Sequence, residues 1–311
     1  MTFTFRPAVR ENVNLLIGVA GASGSGKTFS AMRLAAGIAG DKPYAVIDTE
    51  NGRANHYADV FRFDVAQLRA PFTPDAYADA ILAADAAGYP VIVVDSMSHE
   101  WAGDGGMLDW QEAEFERMGS REAVKMASWI KPKKAHKRMV QTLLQVKAHL
   151  ILCFRAEPKV DMVKDANGKW VVEPKKTLTG LDGWVPVTEK NLPFELTASF
   201  LLTPSAPGIP KPIKLQEQHR ALFPLDKPIT EESGRGIAEW ARGGVRPART
   251  EAHTALIAQL ELLARESGFE TFKDAWAALP KDDRSALGTR ERDRIGEIGR
   301  LTDSNMKEIQ P

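Results

Sequence analysis

One segment of the sequence has the residue types and the spacing of a phosphate-binding loop. The stretch Gly21–Thr28 reads GASGSGKT and matches the pattern G-x-x-x-x-G-K-[ST] at every position. Small residues let the backbone N–H groups point at phosphate oxygens, and the helix that follows adds its positive end. Lys27 is expected to act in catalysis by reaching the β- and γ-phosphates, and the Thr28 hydroxyl is expected to ligate Mg²⁺. The loop therefore predicts a site for ATP with Mg²⁺. The residues of this segment and its flank predicted to bind the nucleotide are Gly21, Ala22, Ser23, Gly24, Ser25, Gly26, Lys27, Thr28 and Phe29.

Two acidic residues follow apolar runs and are candidates for the chemistry on that nucleotide. Asp95 ends the run VIVVD and is predicted to position the metal, the alternative being a cap or turn residue. Glu50 follows the run YAVID and is predicted to orient and deprotonate the attacking water, the alternative being a surface loop residue. Asp48 competes for that role, but Glu50 lies further past the strand end. Many ring ATPases carry this acid directly after the metal Asp; here that residue is Ser96, so the acid must come from elsewhere.

Short apolar runs that alternate with helical patterns predict an α/β fold for the first three quarters of the chain. Buried strands are predicted at residues 13–20, 44–48, 90–95 and 149–155, and helices at 28–39, 74–87 and 133–147. This alternation predicts a mostly parallel sheet that helices cover on both faces. A hairpin is predicted at 159–164 and 169–173 around the turn Asp165–Gly168, and the strands 196–202 and 212–216 are predicted to extend the sheet in an antiparallel manner.

The composition shifts after the predicted sheet. Glycine, proline and arginine accumulate in Ala241–Arg249, which indicates a linker. We therefore predict an ATPase domain at 1–242, a linker at 243–250 and a small all-helical domain at 251–311. Within the last domain, helical spacing is found at 251–266, 270–278 and 288–301.

The composition limits the kinds of partner and compartment. The 311 residues include 41 Lys+Arg and 41 Asp+Glu, so a surface for nucleic acid would have to be a local patch. The single cysteine, Cys153, permits no disulfide within the chain, which fits a reducing cytoplasm. The start of the chain lacks the apolar core of a secretory signal, and no run approaches 18 apolar residues, so we expect no membrane span.

Together these motifs resemble the RecA-type ATPase core over residues 13–240. The resemblance rests on the phosphate-binding loop, on VIDTENG at 46–52, VIVVDS at 91–96 and LILCFR at 150–155, and on FELTASFLLT at 194–203. More narrowly, the chain is similar to phage-encoded ATPases of recombination and single-strand annealing, an impression to which GWVPVTEKNLPFE at 183–195 adds. The resemblance implies that Glu50 is the catalytic acid and that ATP lies between the subunits of a homo-oligomer. It also implies the cytoplasm, that of the host if the protein is encoded by a phage.

The sequence departs from the RecA pattern at one position that senses the γ-phosphate. The family has Gln near the end of its fourth core strand, whereas Arg155 stands at the matching position here. Arg155 is predicted to bind the nucleotide, the alternative being a surface arginine. The family also completes each site with lysines of a neighbouring subunit, for which Lys211 and Lys214 are the matching candidates.

Single-stranded DNA is the partner that the resemblance implies, and two patches are candidates for contacting it. The family places a mobile DNA-facing loop at 101–131, which here contains Trp101, Trp110 and Trp129 and leads into the basic run Lys131–Arg138. The acidic stretch 109–116 argues against part of this patch, and core packing, a subunit contact or a solvated helix start are the alternatives. The second patch comprises Lys164–Lys169, Trp170, Lys175 and Lys176.

Three functions remain open from the sequence. The first is an ATP-driven protein of DNA recombination or single-strand annealing that oligomerises on DNA. The second is an ATP-dependent loader or chaperone that contacts a single-strand-binding or replication protein through the helical tail. The third is a nucleotide kinase, which usually needs an arginine-rich lid, and residues 156–180 contain no arginine.

Overall fold

The computed structural model describes residues 13–164, 168–174, 183–243 and 251–309. The chain divides into two compact units, with the boundary between Arg242 and Gly243. Each unit has a hydrophobic core of its own. In the described residues, no helix is long and apolar enough to cross a membrane.

The first unit is built on a sheet whose strands alternate with helices along the chain. Its strands are β1 (Leu16–Gly21), β2 (Tyr44–Asp48), β3 (Phe63–Gln67), β4 (Val91–Asp95), β5 (His149–Pro158), β8 (Trp184–Pro186), β9 (Ala198–Thr203) and β10 (Ala206–Lys214), and β6 (Val160–Lys164) and β7 (Trp170–Pro174) form a separate hairpin. Its helices are α1 (Lys27–Ala39), α2 (Pro74–Ala86), α3 (Ser98–Ala102), α4 (Met107–Arg117), α5 (Ile130–Leu143), α6 (Leu192–Glu195), α7 (Glu217–Arg220) and α8 (Glu231–Arg242).

The strand order places β5 between the strand that precedes the phosphate-binding loop and the strand that ends at Asp95. The order is β10-β9-β1-β5-β4-β2-β3, and β8 pairs with the end of β5. Strands β9, β1, β5, β4, β2 and β3 are parallel to one another. The carboxyl ends of β1, β2, β4 and β5 therefore meet at one edge, where ligands of open α/β sheets bind.

Apolar side chains on both faces of the strands bury the sheet between two helical layers. Along β1, Ile17 and Val19 join the core beneath α1 and α8, while Leu16 and Ala20 join the core beneath α2 and α5. This two-sided burial explains why the parallel strands are nearly continuous apolar runs. The predicted fold class, a mostly parallel sheet flanked by helices with an antiparallel extension, is confirmed.

Two expectations about individual elements are wrong. Residues 101–131 are not a loop, because they contain α3, α4 and short 3-10 turns at Glu122–Val124 and Ala127–Trp129. The extension after β5 is also only partly antiparallel, since β9 pairs parallel with β1 and only β10 pairs antiparallel with β9. The β6–β7 hairpin is antiparallel as expected, although residues 165–167 of its turn lie outside the described residues.

Helices α1 and α8 cross closely because both carry glycine at the crossing. A Cβ on Gly234 would lie 2.8 Å from the Cα of Gly37 and would collide with the carbonyl oxygen of Leu34. Beside the crossing, Arg33 Nη2 donates to Glu231 Oε2 at 2.6 Å, and Arg33 Nε also donates to this carboxylate. Backbone contact and ion pair together fix α8 against the helix that begins at the phosphate-binding loop.

The second unit is helical, as the sequence predicts. It consists of α9 (Glu251–Ala278) and α10 (Lys281–Ile309), which are interrupted by non-helical backbone at Gly268 and Gly288. Both glycines have positive φ angles, near 78°, which residues other than glycine rarely adopt. Leu260, Phe272 and Ile295 belong to the core between the helices. The predicted linker, apart from Gly243, lies outside the described residues.

Candidate active site

The phosphate-binding loop joins β1 to α1 and depends on three glycines. Gly24 and Gly26 both have φ of 79°, a left-handed conformation that glycine adopts without strain. Gly21 is needed for space, since a Cβ there would collide with the side chain of Ser25 and lie 2.9 Å from the carbonyl oxygen of Leu202. The loop can therefore curl tightly enough for its N–H groups to face one point.

The loop is also held from outside by the strand at the edge of the sheet. The N–H of Gly208, in β10, donates to the carbonyl oxygen of Ser25 at 2.9 Å. Ser25 is buried, and its hydroxyl has no hydrogen-bond partner among the described residues. Ser25 thus supports the loop by its backbone, and it does not line the cavity described below.

Lys27, Thr28 and Asp95 form a compact cluster at the start of α1. Lys27 Nζ lies 2.9 Å from Asp95 Oδ1, and the Thr28 hydroxyl donates to Asp95 Oδ2 at 2.5 Å. Burial alone would lower the pKa of Lys27, but the Asp95 carboxylate outweighs it and the pKa lies above the ordinary value. The lysine is therefore charged at neutral pH. A hydroxyl and a carboxylate side by side are the oxygen ligands that fit Mg²⁺.

Asp48 and Glu50 have different surroundings although they are two residues apart. The buried Asp48 carboxylate accepts the N–H of Glu50 at 2.6 Å and the N–H of Ala54 at 3.0 Å. These bonds hold the turn after β2, so Asp48 is occupied by backbone donors. Glu50 instead lines the same cavity as the phosphate-binding loop.

Two arginines hold the Glu50 carboxylate. Arg155, at the end of the buried part of β5, donates from Nη2 and Nε to Glu50 Oε1 at 2.7 and 3.1 Å. Arg53 lies farther away, with Nη1 3.5 Å from Glu50 Oε2. The side chain of Glu50 is only 12% exposed, whereas those of Arg155 and Arg53 are 51% and 68% exposed. The acid is thus enclosed, and its partners can turn toward solvent or toward a ligand.

These groups line one cavity of about 630 Å³. The predicted nucleotide-binding residues that line it are Gly21, Ala22, Ser23, Gly24, Gly26, Lys27, Thr28, Phe29 and Arg155, together with Glu50. Asp95 lies behind Lys27 and Thr28. Sequence reasoning missed Arg53, Tyr57, Ala156 and Glu157, which also line the cavity. Of these, Arg53 could have been found from its place three residues after Glu50, next to the Asn51-Gly52 turn.

Comparison with known proteins agrees with this geometry. The profile of the AAA domain family matches residues 14–188, which is more than half of the chain. The chain belongs to this family. It is an AAA-domain P-loop ATPase, an enzyme that binds and hydrolyses ATP. No curated protein matches the sequence.

In this ATPase a hydrogen-bond network joins the strand ends that carry the two acids. The Thr49 hydroxyl accepts the N–H of Ser96 at 2.8 Å and lies 2.8 Å from His99 Nδ1. Tyr77 donates its hydroxyl to the carbonyl oxygen of Ser96 at 2.9 Å. Burial, with a smaller contribution from Arg155, lowers the pKa of His99, which favours its neutral form. The network fixes the spacing between Glu50 and Asp95, and sequence reasoning did not find it.

The lysines predicted to reach a neighbouring subunit lie on β10 of the ATPase. Lys211 is exposed, and Lys214 Nζ donates to the carbonyl oxygen of Phe194 at 2.5 Å. Neither lines the cavity formed by this chain. Their action on a second copy of the ATPase stays a prediction.

The basic run at the start of α5 is partly neutralised by acids. Lys131 Nζ lies 3.0 Å from Glu114 Oε1, and Arg138 Nη2 lies 2.8 Å from Asp75 Oδ1. His136 is buried, and its Nδ1 lies 2.9 Å from Glu100 Oε1. Lys133, Lys134 and Lys137 are exposed. Three cations of the run are therefore open to solvent, and contact between the run and DNA stays a prediction.

The predicted aromatic contacts separate into two places in the ATPase. Trp101 and Trp129 stack on each other, with ring centroids 5.7 Å apart and planes 16° from parallel. Trp170, on β7, is 58% exposed and lies beneath Lys164 Nζ, 5.2 Å from its ring centroid. Lys175 and Lys176, predicted to join this second patch, lie outside the described residues.

Proposed function

We propose that this ATPase is a RecA-like protein of phage DNA recombination or single-strand annealing, which binds single-stranded DNA as a homo-oligomer. The observation that carries the proposal is the ion pair between Glu50 and Arg155. It ties the candidate catalytic acid to β5, a strand that runs on beyond the nucleotide cavity. The resemblance to the RecA core supplies the biological setting.

The residues of the cavity have separate roles in this proposal. The loop glycines and Lys27 bind the phosphates of ATP, and Thr28 and Asp95 would hold Mg²⁺. The bound metal would offset negative charge on the phosphates. Described residues offer no group of three or more His, Cys, Asp or Glu side chains for a metal. The Thr28 hydroxyl and the Asp95 carboxylate fit Mg²⁺, which keeps several water ligands and needs few carboxylates.

Glu50 orients and deprotonates the attacking water, but it cannot do so while two arginines occupy its carboxylate. A general base must be within hydrogen-bond reach of the proton that it removes. In the structure both carboxylate oxygens of Glu50 face arginine nitrogens. We therefore expect slow hydrolysis until Arg155 moves away, which suits an enzyme that an activating ligand switches on.

Single-stranded DNA is the activating ligand that this arrangement favours. Beyond Arg155, β5 continues to Pro158 and pairs with β8, which carries Trp184, and the exposed Lys159 follows β5 directly. Aromatic rings and cations on such elements are the groups that bind unpaired nucleotides. A ligand on this side of the molecule can act on the strand that holds Arg155.

A homo-oligomer is proposed because β10 forms an edge of the sheet and carries two lysines. Lys211 is exposed there and is free to reach a neighbouring molecule. In the RecA family, lysines from a second subunit complete the ATP site, which would place ATP between subunits here.

The test is the ATPase rate of the full chain with and without single-stranded oligonucleotides. We expect a low rate alone and a rate several-fold higher with single-stranded DNA, accompanied by larger assemblies in light scattering. Equal rates in both conditions would contradict the proposal. Stimulation only by a single-strand-binding or replication protein would favour a loader, and phosphate transfer to a nucleotide would favour a kinase.

A further inference from the structure

A second cavity, of about 800 Å³, adjoins the β5 extension and shares Glu157 with the nucleotide cavity. We call it the tryptophan groove, because three indole rings line it, those of Trp101, Trp129 and Trp184. The other side chains that line it are mostly apolar or cationic, and they include Leu108, Lys133, Lys159, Lys190, Phe194 and Ile213.

The groove has unpaired cations at its rim. Lys133, Lys159 and Lys190 are exposed, and none of the three forms an ion pair with any residue that the structure describes. Lys133 Nζ lies 5.6 Å from the ring centroid of Trp129, so cation and ring face the same space. Solvated cations next to aromatic faces attract a ligand that has both negative charge and flat rings.

Two carboxylates line the groove and would repel a negatively charged ligand, but they differ in whether hydrogen bonds already engage them. Glu189 is engaged by Asn191, whose N–H and Nδ2 donate to it at 2.7 and 3.3 Å. Glu157 is exposed, but it stands on the wall that the groove shares with the nucleotide cavity. Three open cations therefore face one open carboxylate, and that carboxylate lies to one side.

We propose that the tryptophan groove binds the unpaired bases of single-stranded DNA, with the three lysines contacting its phosphates. This inference rests on the proposed function and names the surface that serves it. Trp101 and Trp129 already stack on each other, so a base can continue the stack, and Trp184 offers a further ring. An apolar peptide would fit the rings but would leave the cations without a partner.

The groove is connected to the active site through backbone pairing. Strand β8 pairs antiparallel with the β5 extension, with Trp184 opposite Pro158 and Pro186 opposite Ala156. The N–H of Val187 also donates to the carbonyl oxygen of Arg155 at 2.8 Å. A base that stacks on Trp184 therefore acts on the strand that carries Arg155, and this provides a route for DNA to release Glu50.

The first experiment measures binding of a fluorescent oligo(dT) to the full chain, with two tryptophan variants. Trp184→Ala is expected to raise Kd about tenfold, the loss typical of one base–aromatic stack. Trp170→Ala, which removes the exposed indole of the hairpin, should leave Kd within about threefold of the unchanged protein. If Trp170→Ala loses the affinity and Trp184→Ala keeps it, DNA binds the hairpin and the groove assignment is wrong.

A charge variant keeps the test decisive if Trp184→Ala unfolds. The double change Lys159→Glu and Lys190→Glu should weaken binding more than tenfold and flatten its salt dependence. Lys134→Glu, which changes an exposed lysine of α5 that does not line the groove, is the matched control. Normal binding by the double variant overturns the groove but leaves DNA-stimulated hydrolysis intact. If the unchanged protein neither binds oligo(dT) nor responds to it, the proposed function itself fails.

Discussion

At the scale of single residues, cations and acids in the active site are already paired. Lys27 neutralises Asp95, and Arg155 with Arg53 neutralises Glu50. The pairs differ in exposure, since Lys27 is 12% exposed and Arg155 is 51% exposed. The first pair is thus part of the fixed site, whereas the exposed guanidinium of Arg155 can turn toward solvent while Arg53 stays near Glu50.

Glu50→Gln separates binding from chemistry. The amide keeps the size of the side chain but cannot take a proton, so we expect hydrolysis to fall at least about 100-fold. ATP affinity should change little, because the phosphates bind the loop. Stopped turnover with retained binding of a fluorescent ATP analogue would agree. As a contrast, Lys27→Ala should lose both, and normal turnover in Glu50→Gln would remove this residue from the mechanism.

Arg155→Ala tests whether Arg155 restrains the acid. Without it, Glu50 retains only the distant Arg53, so the rate without DNA should rise and the stimulation by DNA should drop to about onefold. Arg53→Ala is the matched control and should keep the stimulation, because its nitrogen lies 3.5 Å from the carboxylate. A rate as low as that of Glu50→Gln would mean that Arg155 acts on the substrate instead.

The residues found from sequence are those whose function fixes a local pattern. The loop from Gly21 to Thr28 has a fixed spacing because one turn of backbone has to enclose phosphate. Asp95 and Glu50 could be placed because each ends or follows an apolar strand. Arg53 and the Thr49 network depend on how the strand ends meet in space, and that packing leaves no spacing in the sequence.

At the scale of elements, β5 and the α1–α8 crossing position the active site. The buried half of β5 lies between β1 and β4, and its extension contributes lining residues to both the nucleotide cavity and the tryptophan groove. The crossing fixes α1 behind the phosphate-binding loop. The β5 extension therefore connects the active site to the tryptophan groove, and the crossing connects it to α8.

Gly234→Ala tests the helix crossing. In a free helix alanine would be favoured over glycine, but here its Cβ would meet the Gly37 backbone at 2.8 Å. We expect the free energy of unfolding to fall by about 1–3 kcal/mol, the usual cost of overpacking, as measured by urea denaturation. Gly236→Ala on the same helix meets only the end of the Leu222 side chain, at 3.2 Å, and should be neutral or stabilising. Equal effects of both changes would argue against a tight crossing.

Buried strands could be predicted from their apolar runs, whereas an exposed element could be predicted only where a turn signal marks it, as in the β6–β7 hairpin. The strands β2 and β4 are buried at every position and read as apolar runs. Strand β3 was missed because four of its five residues are exposed, so FDVAQ has no apolar signal. Helices α3 and α4 were missed for a similar reason, since α4 carries charged residues along most of its length and buries only Met107 and Glu114.

At the scale of the whole molecule, buried and partly buried histidines make stability depend on pH. Burial lowers the pKa of His149 to about 4, and its Nδ1 accepts the N–H of Leu15 at 3.2 Å. Burial also lowers the pKa of His99 and His219. For His136 the Glu100 carboxylate outweighs the opposite effect of burial and raises the pKa.

Stability should therefore be greatest near the ordinary histidine pKa of 6.5. Below it the unfolded chain binds more protons than the folded one at His149, so stability falls with falling pH, by about 2 kcal/mol between about pH 6.5 and 5. Above it the folded state binds more protons at His136, and that contribution is lost as pH rises. Urea denaturation from pH 5 to 8 measures the free energy of unfolding on both sides of this maximum, the acid limb below pH 6.5 and the alkaline limb above it. His149→Asn keeps an acceptor for Leu15 and should flatten the acid limb; an unchanged limb would exclude His149 as its source.

Because Lys27 is paired with Asp95, the phosphates of ATP without bound metal must compete with the Asp95 carboxylate for the Lys27 ammonium group. Asp95→Asn frees that ammonium, so ATP in the presence of a chelator should bind several-fold more tightly to the variant. With Mg²⁺ the order should reverse, because the variant has lost the carboxylate that would hold the metal. ATP titrations of the unchanged protein and the variant, each with and without Mg²⁺, measure this reversal. If the substitution changes both affinities in the same direction, Asp95 interacts with only one of the two cations, Lys27 or Mg²⁺.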